Sequence, residues 1–580
     1  KESTMKYFIP EWDDKVDPSY NFLTDTHSSD HKMDPTSHDV YMWEIFGIDK
    51  VPCDGLLVSI ATLEGNTKKF SAIKENGIHK FLRLPRSFPL MADCGAFSYI
   101  KKEIPPYKTQ EVLRLYCDLG FQYGVSIDHL VVPQFLDQKE ARLRTTYING
   151  VEAFNLWKKE YRDDFQLIVA VQGETIPEYL DMFENFSLRG ITHFGFGGLV
   201  RSPTNFIISL IDAIIDKVPK LRNPPEHIHF FGVARCQLLS KYKELETKGI
   251  EVSFDSASYL RKAWLSTASS ESNYLTPDLS GYSAIRIPLS RTRTKSNKDQ
   301  EYEEISKKCL HHLRQYENGN LSLEGVLKSL AELNTITHTP PHFLDYYRRT
   351  LVDKPWLKCS CPICQKHGIE VVIFRGNNRN RRRGFHNTYV FYNLLHDPNR
   401  WTVLCEDAPV PTGVKAITSL EKLKRGKKIL LIVGCTKKKL GDTQGICAPA
   451  KDMYQGILFK KIREYAEAMG FPYLIISAKY GLVTPDQEIC GYNKVLKTRK
   501  DVESIRPGVE KALEPYIDKF DTICLIAGDQ YRSVVRNMMN KKWCYLKARG
   551  IGDMISIVSR AIPRKDHTLD EFFNKEKKMI

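Results

Sequence analysis

Between about residue 55 and residue 290, short apolar runs alternate with longer stretches whose apolar positions recur at helical spacing. The runs are Gly55–Ile60, Leu90–Asp93, Tyr123–Asp128, Leu167–Gln172, Thr192–Phe196, His229–Val233, Ile250–Asp255 and Ser283–Ile287. Amphipathic stretches such as Gln138–Trp157 and Phe206–Val218 lie between them. Strands that are apolar almost throughout are those buried on both faces of a parallel sheet. Eight βα units in succession predict an α/β fold, a (β/α)8 TIM barrel, with an open doubly wound sheet as the alternative.

Polar residues gather where these runs end: Asp93, Asp128, Gln172, Gly197-Gly198 and Asp255. In a barrel the C-terminal strand ends converge on the active site. One Asp or Gly in such a place is an ordinary turn former. Three Asp and a Gln at the ends of four runs point to a site instead.

A polar segment follows from about Ser290 to Glu301 and reads as an exposed insertion. Helical material then leads to a tight group of cysteines. Ala408-Pro-Val-Pro-Thr-Gly413 marks another boundary, after which a new α/β pattern begins at Lys427–Gly434. It continues through Tyr473–Ser477 and Thr522–Gly528. The expected organisation is a barrel over 1–350, a zinc-binding subdomain over 351–410 and a separate α/β domain over 425–565.

Length alone, 580 residues, would suggest roughly four domains at about 150 each. A barrel absorbs more than one of those shares. The chain is 42% hydrophobic and 27% charged, which excludes wholesale disorder. Its 85 Lys+Arg outnumber 70 Asp+Glu, a net charge of +15. No run of 18 apolar residues is present, and the first ten residues carry no apolar leader. The expectation is a cytoplasmic protein, with no membrane partner, whose basic surface meets nucleic acid. The 14 Cys are mostly scattered singly, so reduced thiols and one metal site are expected rather than a disulfide scaffold.

That metal site is Cys359-Ser-Cys361-Pro-Ile-Cys364, three thiols in one turn. A tetrahedral Zn²⁺ needs a fourth ligand. His386 is the best placed downstream, His396 is the reserve, and His367 is too close to the turn to fold back. Three thiolates and a His leave no open position, so the zinc is expected to be structural. Arg375, Arg379, Arg381, Arg382 and Arg383 lie between the thiols and His386. They are expected to form a phosphate-contacting loop held rigid by the metal, with a merely solvated loop as the alternative.

Several motifs occur in one order: Asp93-Cys-Gly-Ala-Phe-Ser98, Gln172-Gly173, Phe196-Gly-Gly-Leu-Val200, Phe231-Gly-Val233, Phe254-Asp-Ser-Ala-Ser258 and the Cys-x-Cys-x-x-Cys…His group. The series resembles the tRNA-guanine transglycosylases, zinc-bearing (β/α)8 enzymes that exchange guanine for a 7-deazaguanine. The resemblance covers roughly residues 50–395. It departs from the tRNA enzymes at Ser98, where they carry Gln, and at Ser256-Ala-Ser-Tyr-Leu-Arg261, where they carry Pro-Thr-Arg. The opening Phe8–Pro18 segment, with Leu23-Thr-Asp-Thr-His27, looks like the DpdA branch of bacteria and phages. That branch replaces guanine in DNA. Ser477-Ala-Lys-Tyr-Gly-Leu482 and its continuation to Tyr492 are similar to YaaA-like domains, which are linked to nucleic-acid binding. No archaeal-type RNA-binding module is seen, which favours DNA.

Base exchange on one face of a sugar breaks one N-glycosidic bond and makes another. A carboxylate nucleophile and a second carboxyl as acid/base do this by double displacement. Asp255, followed by the small Ser256, Ala257 and Ser258, suits the nucleophile. The resemblance implies Asp93 as general acid/base and Asp128 on the N1–H and N2 edge of guanine. It also implies Gln172 with the Gly197-Gly198-Leu199 backbone near O6, and Phe97 and Phe231 stacking on the base. Arg261, beside the nucleophile, is a candidate DNA contact. The implied partners are a DNA substrate and a preQ0-like base. A guanine inside a duplex must be flipped to be reached, so unpaired DNA or a DNA-opening partner protein is also implied. Family enzymes often form homodimers, though no interface is legible. The rival readings are a tRNA-guanine transglycosylase and an idle nucleic-acid-binding paralogue.

Overall fold

The structure, a computed structural model, describes residues 5–31, 38–264, 272–289, 297–398, 414–423, 428–440, 446–496, 499–548 and 551–562. The chain divides into two compact units, Lys1–Cys405 and Glu406–Ile580. The boundary expected at 408–413 and residues 290–296 of the polar insertion lie outside the described residues.

In the first unit eight parallel strands close into a barrel. They are β1 (Lys6–Pro10), β2 (Gly55–Ser59), β3 (Leu90–Asp93), β4 (Tyr123–Val125), β5 (Gln166–Val171), β6 (His193–Phe196), β7 (His227–Phe230) and β8 (Glu251–Asp255). β1 closes the ring against β8, with Tyr7 opposite Phe254. Phe8, Leu57, Met91, Val125, Ile168 and Ala170 pack together as one buried cluster. Their strand neighbours, such as Tyr7, Ile9, Leu56 and Leu90, join the much larger core that includes the helices. This alternation is what a barrel with a filled interior requires.

The fold class is the one expected, but the membership differs at one strand. Lys6–Pro10 supplies β1, and Ser283–Ile287 is not in the barrel. Ile285–Arg286 instead pairs in parallel with Ile373–Phe374, tying the barrel's exit to the cysteine-bearing region. The reason is register. The chain's first strand already fills the place between β8 and β2, so an eighth strand from residues 283–287 has no edge to join.

The helix Ile176–Leu188 shows how outer elements set the site. Thr175 caps it, with Glu178 reaching back to complete a capping box. Its Tyr179, Met182, Phe183 and Phe186 are buried on one face. Tyr179 then donates its hydroxyl to the Gly197 carbonyl at 2.8 Å and so fixes the loop after β6.

The arginine run is not a loop and is not placed to meet phosphate. It forms the first turns of the helix Gly376–Leu395, and Arg375, Arg379, Arg382 and Arg383 are buried. Arg375 and Arg379 share Asp25 at 2.6 and 2.5 Å, and Arg379 also holds Glu370 at 2.7 Å. Arg381 donates to the Lys15 carbonyl and pairs with Asp14. Arg382 donates to the Asp17 carbonyl, and Arg383 to those of Ala263, Val371 and Ile373. Guanidinium forks suit this work because each can satisfy several carbonyls of irregular backbone at once. Arg375, Arg379, Arg381 and Arg382 thus hold residues 14–25 against the helix, and Arg383 ties the helix to Ala263, Val371 and Ile373.

The second unit has its own core and a six-stranded sheet. The strand order is Lys415–Ile417, Trp543–Leu546, Thr522–Ile526, Ile429–Gly434, Tyr473–Ser477, Gly481–Val483, and only the last runs antiparallel. Lys437 and Lys438 are exposed after Ile429–Gly434, whereas Lys439 is buried and donates to the Thr436 carbonyl at 2.9 Å. Cys447 and Cys490 face each other across a two-stranded ribbon and form a disulfide, so the thiols are not all reduced as expected. Among the described residues no helix is long and apolar enough to cross a membrane.

The arginine clamp yields a stability test. Asp25→Ala leaves Arg375 and Arg379 without a shared counter-charge in a buried setting, which should cost about 3–5 kcal/mol in urea denaturation. A loss below about 1 kcal/mol would show the clamp to be dispensable.

Candidate active site

The C-terminal ends of the barrel strands open into a cavity of about 640 Å³. Asp93, Asp128 and Asp255 line it together with Phe97, Phe231 and Arg261. Asp93 and Asp255 are the last residues of β3 and β8, and Asp128 lies just beyond β4. The barrel thus converts residues 162 positions apart in sequence into walls of one chamber. The volume suits a nucleoside-sized ligand.

Asp255 is buried, and two donors meet its Oδ1. The Gly232 amide lies 2.8 Å away and His229 Nε2 lies 3.2 Å away. Gly232 has φ +72°, and a Cβ there would sit 2.4 Å from Val200 Cγ2. Only glycine lets the turn after β7 aim its N–H at the carboxylate. Among the described residues nothing donates to Oδ2, which leaves that oxygen to the cavity.

Asp93 has the opposite environment. Burial, then the charges of Asp128 and Asp255, push its carboxyl up to about 7 from an ordinary value of 3.8. Its Oδ1 has no hydrogen-bond partner among the described residues. Burial also raises Asp128 to about 6, opposed by Gln172, whose Nε2 donates to Asp128 Oδ2 at 2.6 Å. A carboxyl poised near neutrality beside a carboxylate with fixed donors is the pairing that acid/base and nucleophilic roles need.

Gln172 is buried behind the cavity wall, and its Oε1 lacks a partner among the described residues. Gly197 and Gly198 form the wall in front of it. A Cβ on Gly197 would lie 2.2 Å from Gln172 Nε2, so the close approach demands glycine. The Leu199 side chain is fully buried in the outer core, and Leu199 does not line the cavity. Phe97 is 57% exposed, and Phe231, directly after β7, lines the same cavity. The Arg261 guanidinium carbon lies over the Trp12 ring, 3.3 Å from its centroid.

Sequence reasoning missed Trp12, His229, Ser253 and His227. The signal for the histidines was present. His227, His229 and Phe231 recur at the period of two that places alternate residues on one face of a strand.

Cys359, Cys361, Cys364 and His386 form one cluster that could hold a metal ion. His386 Nδ1 lies 3.5, 3.5 and 3.4 Å from the three sulfurs. Its Nε2 donates to the Leu275 carbonyl at 2.9 Å, which leaves Nδ1 as the free lone pair. Tyr274 stacks on the ring at 3.9 Å. The alternatives are placed elsewhere: His367 accepts from Arg382 Nε, and His396 packs on Tyr392.

Over 419 residues the chain is 32% identical to the DNA-guanine transglycosylase of Salmonella montevideo, covering 68% of this chain and 97% of that protein. Residues 430–556 match a family of unknown function, DUF6884. Over 146 residues, 24% of this chain, it is 27% identical to the uncharacterized protein YfjM of Bacillus subtilis (strain 168), of which 97% is covered.

The displaced Asp93 has a measurable consequence for stability. In the unfolded chain its proton leaves near 3.8, and in the folded chain only near 7. Folding therefore takes up a proton in that window, and stability falls as pH rises through it, levelling off above about 7. Asp93→Asn carries no such penalty. Its thermal midpoint should exceed that of the parent protein at pH 8, and the gap should close by pH 4. An equal gap at both pH values would show that burial does not strain this carboxyl.

Proposed function

From the premise that the chain belongs to the DNA-guanine transglycosylases, we propose that it exchanges guanine in DNA for a 7-deazaguanine such as preQ0, by double displacement through Asp255. A guanine flipped out of the helix enters the barrel mouth, at a cost of a few kcal/mol in unstacking. Phe97 and Phe231 enclose its faces. Asp128 accepts from N1–H and the N2 amino group. The second N–H of Gln172 and the Gly198 and Leu199 amides turn toward O6.

Asp255 Oδ2 attacks the anomeric carbon while the bond from that carbon to guanine breaks. Asp93, protonated near neutrality, gives its proton to the leaving base. The incoming base then returns a proton to Asp93 and displaces Asp255 from the sugar. Two inversions restore the original face. The observation that carries this reading is the pairing of Asp93, raised to about 7, with Asp255, held by two donors, in one cavity.

The Cys359–Cys361–Cys364–His386 cluster is read as a zinc site. A tetrahedron with Zn–S of about 2.3 Å and Zn–N of about 2.05 Å has S···N edges of about 3.6 Å, close to the separations of 3.4–3.5 Å. Bound zinc would supply a structural cross-link, not chemistry, because all four positions are filled by protein. Arg261, backed by Trp12, is the cationic contact for DNA flanking the flipped base. The arginine clamp has no such part. The setting is the cytoplasm of a bacterial cell or a phage-infected host, with a DNA-opening partner where the target is paired and a homodimer as the assembly.

Incubation of the protein with labelled preQ0 and either single-stranded DNA or tRNA tests the substrate. Label should enter DNA, and label in tRNA alone would overturn the reading. Metal analysis of the purified chain should find one zinc per chain, lost in Cys361→Ala. A parent protein that folds without metal would refute the zinc assignment.

A further inference from the structure

Below the nucleophile, four buried side chains form a single hydrogen-bonded file on the facing strands β7 and β8. Asp255 Oδ1 meets His229 Nε2 at 3.2 Å. His229 Nδ1 meets Ser253 Oγ at 2.7 Å, and His227 Nε2 meets the same oxygen at 2.7 Å. His227 Nδ1 has no partner among the described residues. The base-exchange scheme above takes His229 only as a donor to Asp255 and gives Ser253 and His227 no part.

The hydrogens of this file can be placed by elimination. An ionised Asp255 only accepts, so His229 must carry its proton on Nε2. In the neutral ring that the lock proposed below requires, Nδ1 is an acceptor, and the Ser253 hydroxyl donates to it. A hydroxyl has one hydrogen, so Ser253 Oγ must accept from His227, whose proton is therefore on Nε2. That leaves His227 Nδ1 as a bare lone pair, which agrees with its lack of a partner. A buried bare acceptor is the least costly end for such a chain, since the alternative is an orphaned N–H. Burial holds His227 well below its usual pKa and keeps it neutral. Aromatic packing fixes the ring plane of His229, with Phe231 4.5 Å and Phe8 6.0 Å from it.

We propose that His229 is a positioning residue for the nucleophile, locked in its Nε2–H tautomer by Ser253 and His227, so that Asp255 turns Oδ2 to the anomeric carbon. The proposal rests on the reading of Asp255 as nucleophile. No proton travels along the file. When Oδ2 bonds to the sugar, Oδ1 becomes the carbonyl oxygen of the ester and keeps its two donors. When the incoming base displaces the sugar, the electron pair of the C–Oδ2 bond returns to the carboxylate. The charge spreads onto Oδ1, where His229 Nε2–H and the Gly232 amide already stand. Such preformed donors act without reorganisation at the moment of reaction.

The test is exchange of radiolabelled guanine into a single-stranded DNA oligonucleotide by the full chain. It does not depend on which 7-deazaguanine is the natural base. His229→Phe fills the space but cannot donate, and kcat should fall about 100-fold while KM for guanine stays within about 3-fold. His229→Gln can donate to Asp255 and accept from Ser253, and should recover to within about 10-fold of the parent. Ser253→Ala frees the tautomer and should fall between the two. A His229→Phe variant at the parent rate, or a His229→Gln variant no better than His229→Phe, would overturn the proposal. Nitrogen-15 spectra of ring-labelled histidine in the unmodified protein give an answer that no folding defect can obscure. Nε2 of His229 should be protonated at pH 7 and Nδ1 bare, and the reverse tautomer or an imidazolium would refute the lock. Asp255→Ala in the same assay separates the two levels. Retained exchange there would remove the nucleophile assignment itself, whereas loss of exchange beside an unaffected His229→Phe would remove only the positioning role.

Discussion

Asp93, Asp128 and Asp255 share one buried barrel mouth, where an ionised carboxylate loses the water that would otherwise stabilise it. Each charge kept there must be matched by donors, or the group must hold its proton. The chain uses both solutions within one cavity. Asp255 is met by the Gly232 amide and His229, while Asp93, with an unpartnered Oδ1, is driven up to about 7. Asp128 stands between them, raised to about 6 and steadied by Gln172. Three chemically identical side chains are thus given three different electrostatic settings by their surroundings.

The same constraint explains the interior around residues 14–25. That segment has little regular structure and presents carbonyls that no strand or helix satisfies. Arg379, Arg381 and Arg382 satisfy those of Phe22, Lys15 and Asp17, Arg375 joins Arg379 on the Asp25 carboxylate, and Glu370 and Asp14 balance the remaining charge. The helix carrying these arginines also carries His386, and it packs closely on the short helix Ser258–Lys262 just after Asp255. Gly384 is in that contact, where a Cβ would come 2.8 Å from the Leu260 carbonyl. The Cys/His cluster therefore sits on the scaffold that backs Asp255, and none of its four residues lines the chamber.

The barrel was legible because seven of its strands are nearly continuous apolar runs ending in polar residues. β1 was not, since Lys6–Pro10 is short, begins with Lys and ends in Pro, and is held mainly by its two neighbours. The run 283–287 looked equally strand-like because apolar burial, not barrel membership, sets that pattern. Asp93, Asp128 and Asp255 could be gathered from sequence because strand ends converge in this fold. The arginine run could not be assigned correctly. Charge in sequence does not say whether a partner is DNA or a buried carbonyl, and Asp25 lies some 350 positions away. His229 was overlooked for the converse reason: a histidine inside a buried strand looks like core until Asp255 is seen beside it.

The central claim is that Asp255 forms the bond to the sugar. It is tested most directly by mixing the protein with a single-stranded DNA oligonucleotide, quenching in acid before turnover completes, and mapping the modified peptide by mass spectrometry. The account predicts a deoxyribose-linked adduct on Asp255, appearing as guanine is released. An adduct on Asp93 or Asp128, or guanine release with no adduct at any time point, would contradict it.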